Sequence, residues 1–344
     1  MSQKLRSNKR KKKVLVLVHS DLIPPENISK EDKQKEEFEF KPWITEYNVI
    51  STLDSLGHEV KVVGVYSDLL PLREAIDEFK PHIVFNLLEE FDGKVLLDQN
   101  VVSYLELLKV KYTGANPRGL MIARDKALAK KLLSYHRIKT PGFQVFTSRS
   151  KAKVTKISKK LKFPLIVKCL YQDASLGISS ASIVKTPEKA IERIIYLMDK
   201  YDEDVIVEEF IEGREFFVGV MGVKRLKVLP VLELSFNNID NPLAQLYSEK
   251  AKWSMKYRQE KGIETGRALI TKELEDKIIK ICKRAYKVLE LTGYARLDLR
   301  VCPEGEPYII EANPNPNVAC KDEFAMAAKL AGMDYKKLIS EIIK

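Results

Sequence analysis

The spacing of apolar positions along the 344-residue chain sorts it into alternating elements. Residues 13–19 (KVLVLVH) form a continuous apolar run, as expected of a strand buried on both faces of a parallel sheet. A charged stretch, 20–41, reads as a long loop or lid. Helical spacing follows over 44–56 and stops at Gly57, then 59–66 reads as a strand, 71–79 as a short helix and 82–88 as a third strand. This alternation predicts an open, mostly parallel α/β unit. Helices are predicted over 97–108 and 125–135, with a boundary near Ala115 and Asn116. A smaller segment comes next: strand 142–146, a helix near 155–161, strands 164–169 and 178–184, and helix 187–199. Residues 205–222 read as two strands joined through Glu212-Gly213, and 230–236 as another. Residues 245–263 are a polar excursion, 271–291 a long amphipathic helix, and 324–343 a pair of helical segments. The expected organisation is a basic tail 1–13, an N-terminal α/β domain 14–115, a central subdomain 116–200 and a C-terminal subdomain 201–344.

The most informative pattern is a period-2 alternation over 295–301 and 308–313 about the turn Pro303-Glu304-Gly305-Glu306, which predicts a β-hairpin. Symmetric pairing sets Cys302 opposite Pro307, Leu299 opposite Ile310, Asp298 opposite Glu311 and Arg296 opposite Asn313. Opposed residues share a face. One face then carries Arg296, Asp298, Glu311 and Asn313, and the other Leu297, Leu299, Ile310 and Ala312 for a core. Like charges directly across a hairpin destabilise it unless a positive charge lies between them. Asp, Glu and Asn oxygens suit Mg²⁺, which is held by few carboxylates together with substrate phosphates. The alternative is an exposed polar face on which Arg296 pairs the acids.

Composition narrows the classes. The net charge is +11, and seven basic residues among the first thirteen (Lys4, Arg6, Lys9, Arg10, Lys11, Lys12 and Lys13) leave +4 on the remainder. The cluster Lys9 to Lys13 would attract nucleic acid or anionic surfaces weakly through nonspecific phosphate contact, or stay a solvated tail. Cys169, Cys282, Cys302 and Cys320 show no CxxC spacing, which argues against zinc or a disulfide framework and for the cytoplasm. The apolar run 14–18 is too short for a signal peptide, and no stretch approaches a membrane span. His19, His58, His82 and His136 pair with no nucleophile. No GxGxxG follows the first strand, so a dinucleotide site is disfavoured.

Two further stretches carry candidate chemistry. In the loop 171–177, Ser175 and Gly177 are small enough to let main-chain N–H groups approach an anion, although the spacing is not that of a P-loop. Glu208, Glu209 and Glu215 beside an apolar strand could receive a purine amino group and ribose hydroxyls, or be solvated strand-edge acids.

Taken together, RDK at 124–126, IVKCLYQDASLGIS at 166–179, VEEFIEGREF at 207–216, EKAKW at 249–253 and RLDLR…IIEANPNPN at 296–317 resemble the ATP-grasp superfamily, and within it the D-alanine–D-alanine ligases. The resemblance covers nearly all of the chain from Lys13 onward. It implies an α/β and α+β ATP-grasp fold behind an N-terminal parallel domain, and a cytoplasmic ligase joining a carboxylate to an amine through an acylphosphate. By the same resemblance Lys126 and Lys168 contact the α and β phosphates, and the main chain around Ser175 to Gly177 closes over the β and γ phosphates. Glu208 and the main chain near Ile211 read adenine, and Glu215 the ribose. Asp298, Glu311 and Asn313 hold two Mg²⁺ (or Mn²⁺) ions, Arg296 and the main chain near Asn317 stabilise the oxyanion, and Lys252 meets the γ-phosphate. Glu46 matches the family's Glu that meets the first substrate's ammonium. Dimers are common among these ligases, so a homodimer is the assembly to look for.

Three departures bear on substrate. The family links its Glu to a Ser and a Tyr, where this chain has Ala174 and Trp253, and it receives the second carboxylate on a Ser, where this chain has Asp322. A carboxylate facing a carboxylate repels, so D-alanine is expected to be a poor second substrate and a cationic amine a better one. Alternatively Asp322 caps the following helix. Besides a ligase of small molecules, the competing functions are a true D-alanine–D-alanine ligase, a protein-modifying ligase, and an idle nucleotide-binding protein that docks on RNA or another acidic partner.

Overall fold

The structure, a computed structural model, describes residues 11–147, 156–172 and 177–344, with the side chains of Glu36, Glu249 and Trp253 outside the description. It divides into two units. One contains the chain up to Thr113 with Val318–Cys320 and Asp334–Lys344, and the other contains Gly114–Asn317 with Lys321–Met333.

In the first unit β1 (Lys13–His19) lies between β2 (Glu59–Val65) and β3 (Ile83–Asn86), parallel to both. A central strand is covered on both faces, which is why Val14, Leu15, Val16, Leu17 and Val18 are all fully buried and read as one apolar run. Leu15, Leu17 and Val84 meet Leu72, Val101 and Leu105 from helices Leu70–Phe79 and Asp98–Leu107. The stretch expected as a loop over 20–41 instead forms short turns of helix. Ser29 caps Lys30–Gln34 through a bond from the Asp32 N–H, and Phe38 packs edge-on against Trp43 and Tyr47 with ring centres 5.6 and 5.2 Å away. Lys12 and Lys13 are engaged at its margin, Lys12 Nζ donating to the Ile343 carbonyl (2.5 Å) and Lys13 lying 3.7 Å from Glu59. Lys9 and Arg10 lie outside the described residues.

The second unit holds two antiparallel sheets. β4 (Phe143–Phe146), β5 (Leu165–Cys169), β6 (Ile183–Val184) and β7 (Val205–Glu209) run in the order β4-β7-β5-β6. Helix Pro187–Tyr201 backs this sheet with Ala190, Ile194 and Leu197. The larger sheet contains β8 (Arg214–Met221), β9 (Lys227–Val228), β10 (Leu232–Phe236), β11 (Ile263–Arg267), β12 (Tyr294–Val301) and β13 (Pro307–Pro314). Its path is β11-β10-β8-β12-β13, with β9 on β8. Helix Lys272–Val288 covers it with Ile278, Cys282, Ala285 and Tyr286, the expected apolar stripe. The two strands joined through Glu212-Gly213 therefore belong to different sheets. The crossing needs glycine: Gly213 has φ +132°, and a Cβ there would sit 2.0 Å from the Val301 carbonyl oxygen.

Several expectations are corrected. Residues 156–161 carry no helix, and Thr155 lies outside the described residues. The expected strand 178–184 shrinks to Ile183–Val184, because Ser179 and Ser182 bond each other's backbone and hold a turn of 3₁₀ helix in place of a ladder. Helix Pro117–Arg124 was not expected; Asn116 caps it and Pro117 opens it. The polar excursion contains helices Glu249–Trp253 and Met255–Lys261 before β11. No disulfide joins Cys169, Cys282, Cys302 and Cys320, and among the described residues no helix is long and apolar enough to cross a membrane.

The hairpin pairs as predicted at its open end, Arg296 with Asn313 and Asp298 with Glu311, but not toward its turn. Leu299 pairs with Ile309, not Ile310, and Val301 with Pro307, not Cys302 with Pro307. Ile310 is the extra residue of a β-bulge. Ile309 consequently takes the core position expected for Ile310, beside Leu297, Leu299 and Ala312, and Ile310 lines a pocket together with Glu311.

Candidate active site

The pocket lies in the second unit. Lys168 and Glu208 line it from β5 and β7, Glu215, Asp298, Arg300 and Glu311 from the larger sheet, and Tyr247 and Lys252 from the segment between β10 and β11. Ile211 contributes from the chain crossing between the sheets.

At the hairpin the acids are neutralised by side chains. Arg296 grips Asp298 with two bonds, Nε to Oδ1 at 2.7 Å and a terminal nitrogen to Oδ2 at 2.9 Å, and Asn313 donates to the same Oδ2 at 2.9 Å. The Arg296 guanidinium lies over the Phe217 ring, 4.9 Å from its centre. Lys126 Nζ stands 3.1 Å from Glu311 and donates to the Gln172 carbonyl at 2.6 Å. Burial pushes the Glu311 carboxyl up, but Lys126 and then Lys168 outweigh it and hold the group below the usual carboxylate range. Burial dominates for Asp298, raised despite Arg296, and for Lys126, lowered despite Glu311. The positive charge demanded by the opposed acids is thus supplied from within the chain.

Deeper in, Glu208 is 1 % exposed and presents one oxygen, Oε1, to two ammonium groups, Lys168 at 3.2 Å and Lys130 at 3.3 Å. Glu215 lies 3.5 Å from Arg300, whose guanidinium packs over Phe210 and donates to the Gly213 and Gln245 carbonyls. Lys252 projects over the Tyr247 ring, its ammonium 5.2 Å from the centre, and burial followed by the Arg296 charge lowers its affinity for a proton. Gly177 is positioned by packing: φ is +71°, a Cβ would meet the Tyr201 ring at 3.0 Å, and its carbonyl accepts from Arg193 at 2.6 Å. Ser175 and Ala174 lie outside the described residues, as does the side chain of Trp253. Glu46 belongs to the first unit. It is 4 % exposed on helix Ile44–Ser55, its Oε2 is buried with no hydrogen-bond partner among the described residues, and burial with help from Glu89 pushes its carboxyl up to about 7.

Four residues of the site carried no sequence expectation: Lys130, Tyr247, Arg300 and Glu323. Tyr247 OH donates to Glu323 Oε1 at 2.8 Å, and Arg296 donates to Glu323 Oε2 at 3.3 Å, so Arg296 bridges two carboxylates. Glu323 opens helix Glu323–Leu330; Asp322 occupies the N-cap position, but its side chain makes no capping bond. Lys130 could have been suspected from its spacing, four residues after Lys126 on one helix face. Arg300 shares the pocket face with Asp298 by strand alternation.

Asp298, Glu311 and Asn313 offer hard oxygens at adjacent register positions. Among the described residues no group of three or more His, Cys, Asp or Glu side chains could hold a metal by itself. Two carboxylates and an amide fit an ion that completes its shell with phosphate oxygens and water, as Mg²⁺ does.

An antiparallel sheet pair enclosing lysines and opposed carboxylates, in a chain that also carries a parallel-sheet unit, is the arrangement of an ATP-grasp ligase. The family model described as D-ala D-ala ligase C-terminus matches residues 132–344. The D-alanine–D-alanine ligase of Aquifex aeolicus is 33% identical over 295 residues, covering 86% of this chain and 92% of that protein. An uncharacterized protein of Sinorhizobium fredii is 29% identical over 302 residues, 86% of this chain and 85% of its own. The crystal structure of the Bacillus anthracis D-alanine–D-alanine ligase complexed with ATP superposes with a TM-score of 0.70 at 23% identity, covering 96% of each chain. That of the VanG D-Ala:D-Ser ligase from Enterococcus faecalis gives 0.71 at 20% identity, covering 97% of this chain and 99% of the other. These two likenesses show the fold. The chain belongs to the D-alanine–D-alanine ligase family and is an ATP-dependent ligase that forms a C–N bond.

Proposed function

We propose that the enzyme activates an amino-acid carboxylate with ATP and joins it to an amine. The γ-phosphoryl group passes to a carboxylate oxygen, ADP leaves, and the amine nitrogen attacks the acyl carbon as phosphate departs and the amine proton is lost. The observation that carries this reading is the convergence of Lys168, Lys252, Asp298 and Glu311 on one pocket. Lys126 and Lys168 would receive phosphate oxygens, with the carboxylates of Glu311 and Glu208 beside them. Lys252 would meet the γ-phosphate, Glu208 with the Ile211 main chain the base, Glu215 the ribose, and the main chain around Ser175 to Gly177 the outer phosphates. Asp298, Glu311 and Asn313 would hold Mg²⁺ or Mn²⁺, which when bound offsets the charge on the transferring phosphoryl group. Arg296, clamped by Asp298, would stabilise the oxyanion, a donor whose loss commonly raises the barrier by about 3 kcal/mol. Glu46, one of whose oxygens is buried with no hydrogen-bond partner among the described residues, suits the first substrate's ammonium.

The amine is read from Glu323. Arg296 already holds two carboxylates, so an incoming carboxylate meets an acid with a guanidinium committed elsewhere, which favours a neutral or cationic amine. The second reading, D-alanine–D-alanine ligase, is favoured by the Aquifex aeolicus relative. One experiment tests both. ATP and Mg²⁺ are supplied with single amino acids, D-alanine included, and with hydroxylamine as the amine. Hydroxamate with stoichiometric ADP supports the ligase reading and identifies the acid, and neither product from any acid refutes it. Efficient D-alanyl-D-alanine formation without hydroxylamine would establish the second reading.

A further inference from the structure

Lys130 is 2 % exposed, among the largest fully buried side chains of the protein, and does not line the pocket. Lysine is almost never buried to this extent unless it is paired. Among the described residues its ammonium has two partners, and both belong to the pocket wall: it donates to the Ile310 carbonyl at 2.5 Å and lies 3.3 Å from Glu208 Oε1. Ile310 is the extra residue of the β13 bulge, with no partner on β12. Bulges leave the extra residue out of the ladder, so a carbonyl there needs a donor from elsewhere, and Lys130 provides one. Glu208 sits on the other sheet, where its Oε1 also receives Lys168. From a single helix, Lys126 reaches Glu311 and Lys130 reaches the residue just before it.

We propose that Lys130 is a positioning residue for the metal carboxylate: it pins the bulge and so holds Glu311 on the pocket face opposite Asp298. If the bulge instead relaxed toward the open end of the hairpin, with Ile310 taking the place opposite Asp298, Glu311 would trade faces with its neighbour, since a strand alternates with a period of two. Lys130 also touches Glu208, but Lys168 pairs the same Oε1 at 3.2 Å, so loss of Lys130 leaves Glu208 with a cationic partner. The proposal rests on the metal-dependent ligase reading.

The test measures metal binding directly. Free Mn²⁺ is followed by electron paramagnetic resonance in the presence of a non-hydrolysable ATP analogue, with thermal melting as the control for folding. Lys130→Met is expected to weaken Mn²⁺ binding about tenfold, the scale seen when supporting partners of metal ligands are removed. Affinity for the analogue without metal should change less than about threefold, the split expected if metal placement is the function lost. Should Lys130→Met fail to fold, Lys130→Gln is measured in its place; its amide ends one atom short of the ammonium and cannot span both partners, so the same loss is expected. Unchanged Mn²⁺ affinity in a folded variant overturns the proposal. Failure of both variants to fold overturns it too, because it would make Lys130 a residue of stability alone. If the wild-type protein binds no Mn²⁺ with the analogue, the ligase reading itself fails, an outcome distinct from equal binding by wild type and variant.

Discussion

Replacing Glu46 by Gln should stabilise the protein, and by an amount that depends on pH. Burial and the Glu89 charge raise the Glu46 carboxyl from 4.5 to about 7 in the folded state. Below 4.5 the group is protonated whether folded or unfolded, and it contributes no pH dependence. Between 4.5 and about 7 the unfolded chain ionises while the folded one keeps its proton, so stability falls as pH rises. Above about 7 both forms are ionised and the loss is complete. At about 1.4 kcal/mol per pH unit, the span of about 2.5 units amounts to at most about 3.5 kcal/mol. Gln keeps the shape and removes the charge, so the gain over wild type should be near zero at pH 4.5 and grow toward that ceiling at pH 7.5. Urea denaturation of both proteins across this range is the assay. A stability difference that stays flat from pH 4.5 to 7.5 would refute the reasoning. A coupled effect is expected in catalysis: an ammonium bound at Glu46 favours the ionised carboxyl, so KM for the amino-acid substrate should fall as pH rises toward 7.

Other consequences can be measured separately. Arg296→Ala should lower kcat by about 100-fold or more, as for loss of an oxyanion donor, while KM for ATP moves only a few-fold; equal losses in both would assign Arg296 to binding. Glu323→Gln releases one guanidinium donor of Arg296, so glycine and D-alanine should gain as amine acceptors relative to methylamine, by about tenfold if one charge–charge repulsion is removed; an unchanged ratio, read by product analysis, would remove Glu323 from amine selection. Deleting residues 1–10 should leave turnover on small amines unaltered, and a drop in steady-state rate would give the basic arm a part in small-molecule catalysis.

Much of this was legible in the sequence because it depends on local periodicity. The continuous apolar run 13–19 announced a central parallel strand, and the alternation in the hairpin placed Arg296, Asp298, Glu311 and Asn313 on one face. Motif order then supplied the family. What stayed hidden depends on contacts between distant segments. Glu323 follows Arg296 by 27 residues and meets it only through the fold, and Lys130 meets Ile310 across 180 residues. The turn at Ser179 and Ser182 escaped because the sequence there also fits a strand, and side-chain bonds to the backbone decided the outcome. Arg300 was visible as a strand residue but not as the partner of Glu215, since that pairing lies between β12 and β8.

The bulge at Ile310 gives the gene an unusual sensitivity. Loss of one codon from 307–310 would leave the turn, the hydrophobic content and nearly every residue of the motif intact, and would shorten β13 to the length that pairs regularly with β12. Such a protein could form a tidier hairpin than the native one, with Glu311 still opposite Asp298, and yet lack the unpaired main-chain carbonyl that receives Lys130. Point substitutions at Ile310 that keep an apolar side chain should be tolerated far better than this single deletion. In this strand the number of residues is therefore under tighter constraint than their identity.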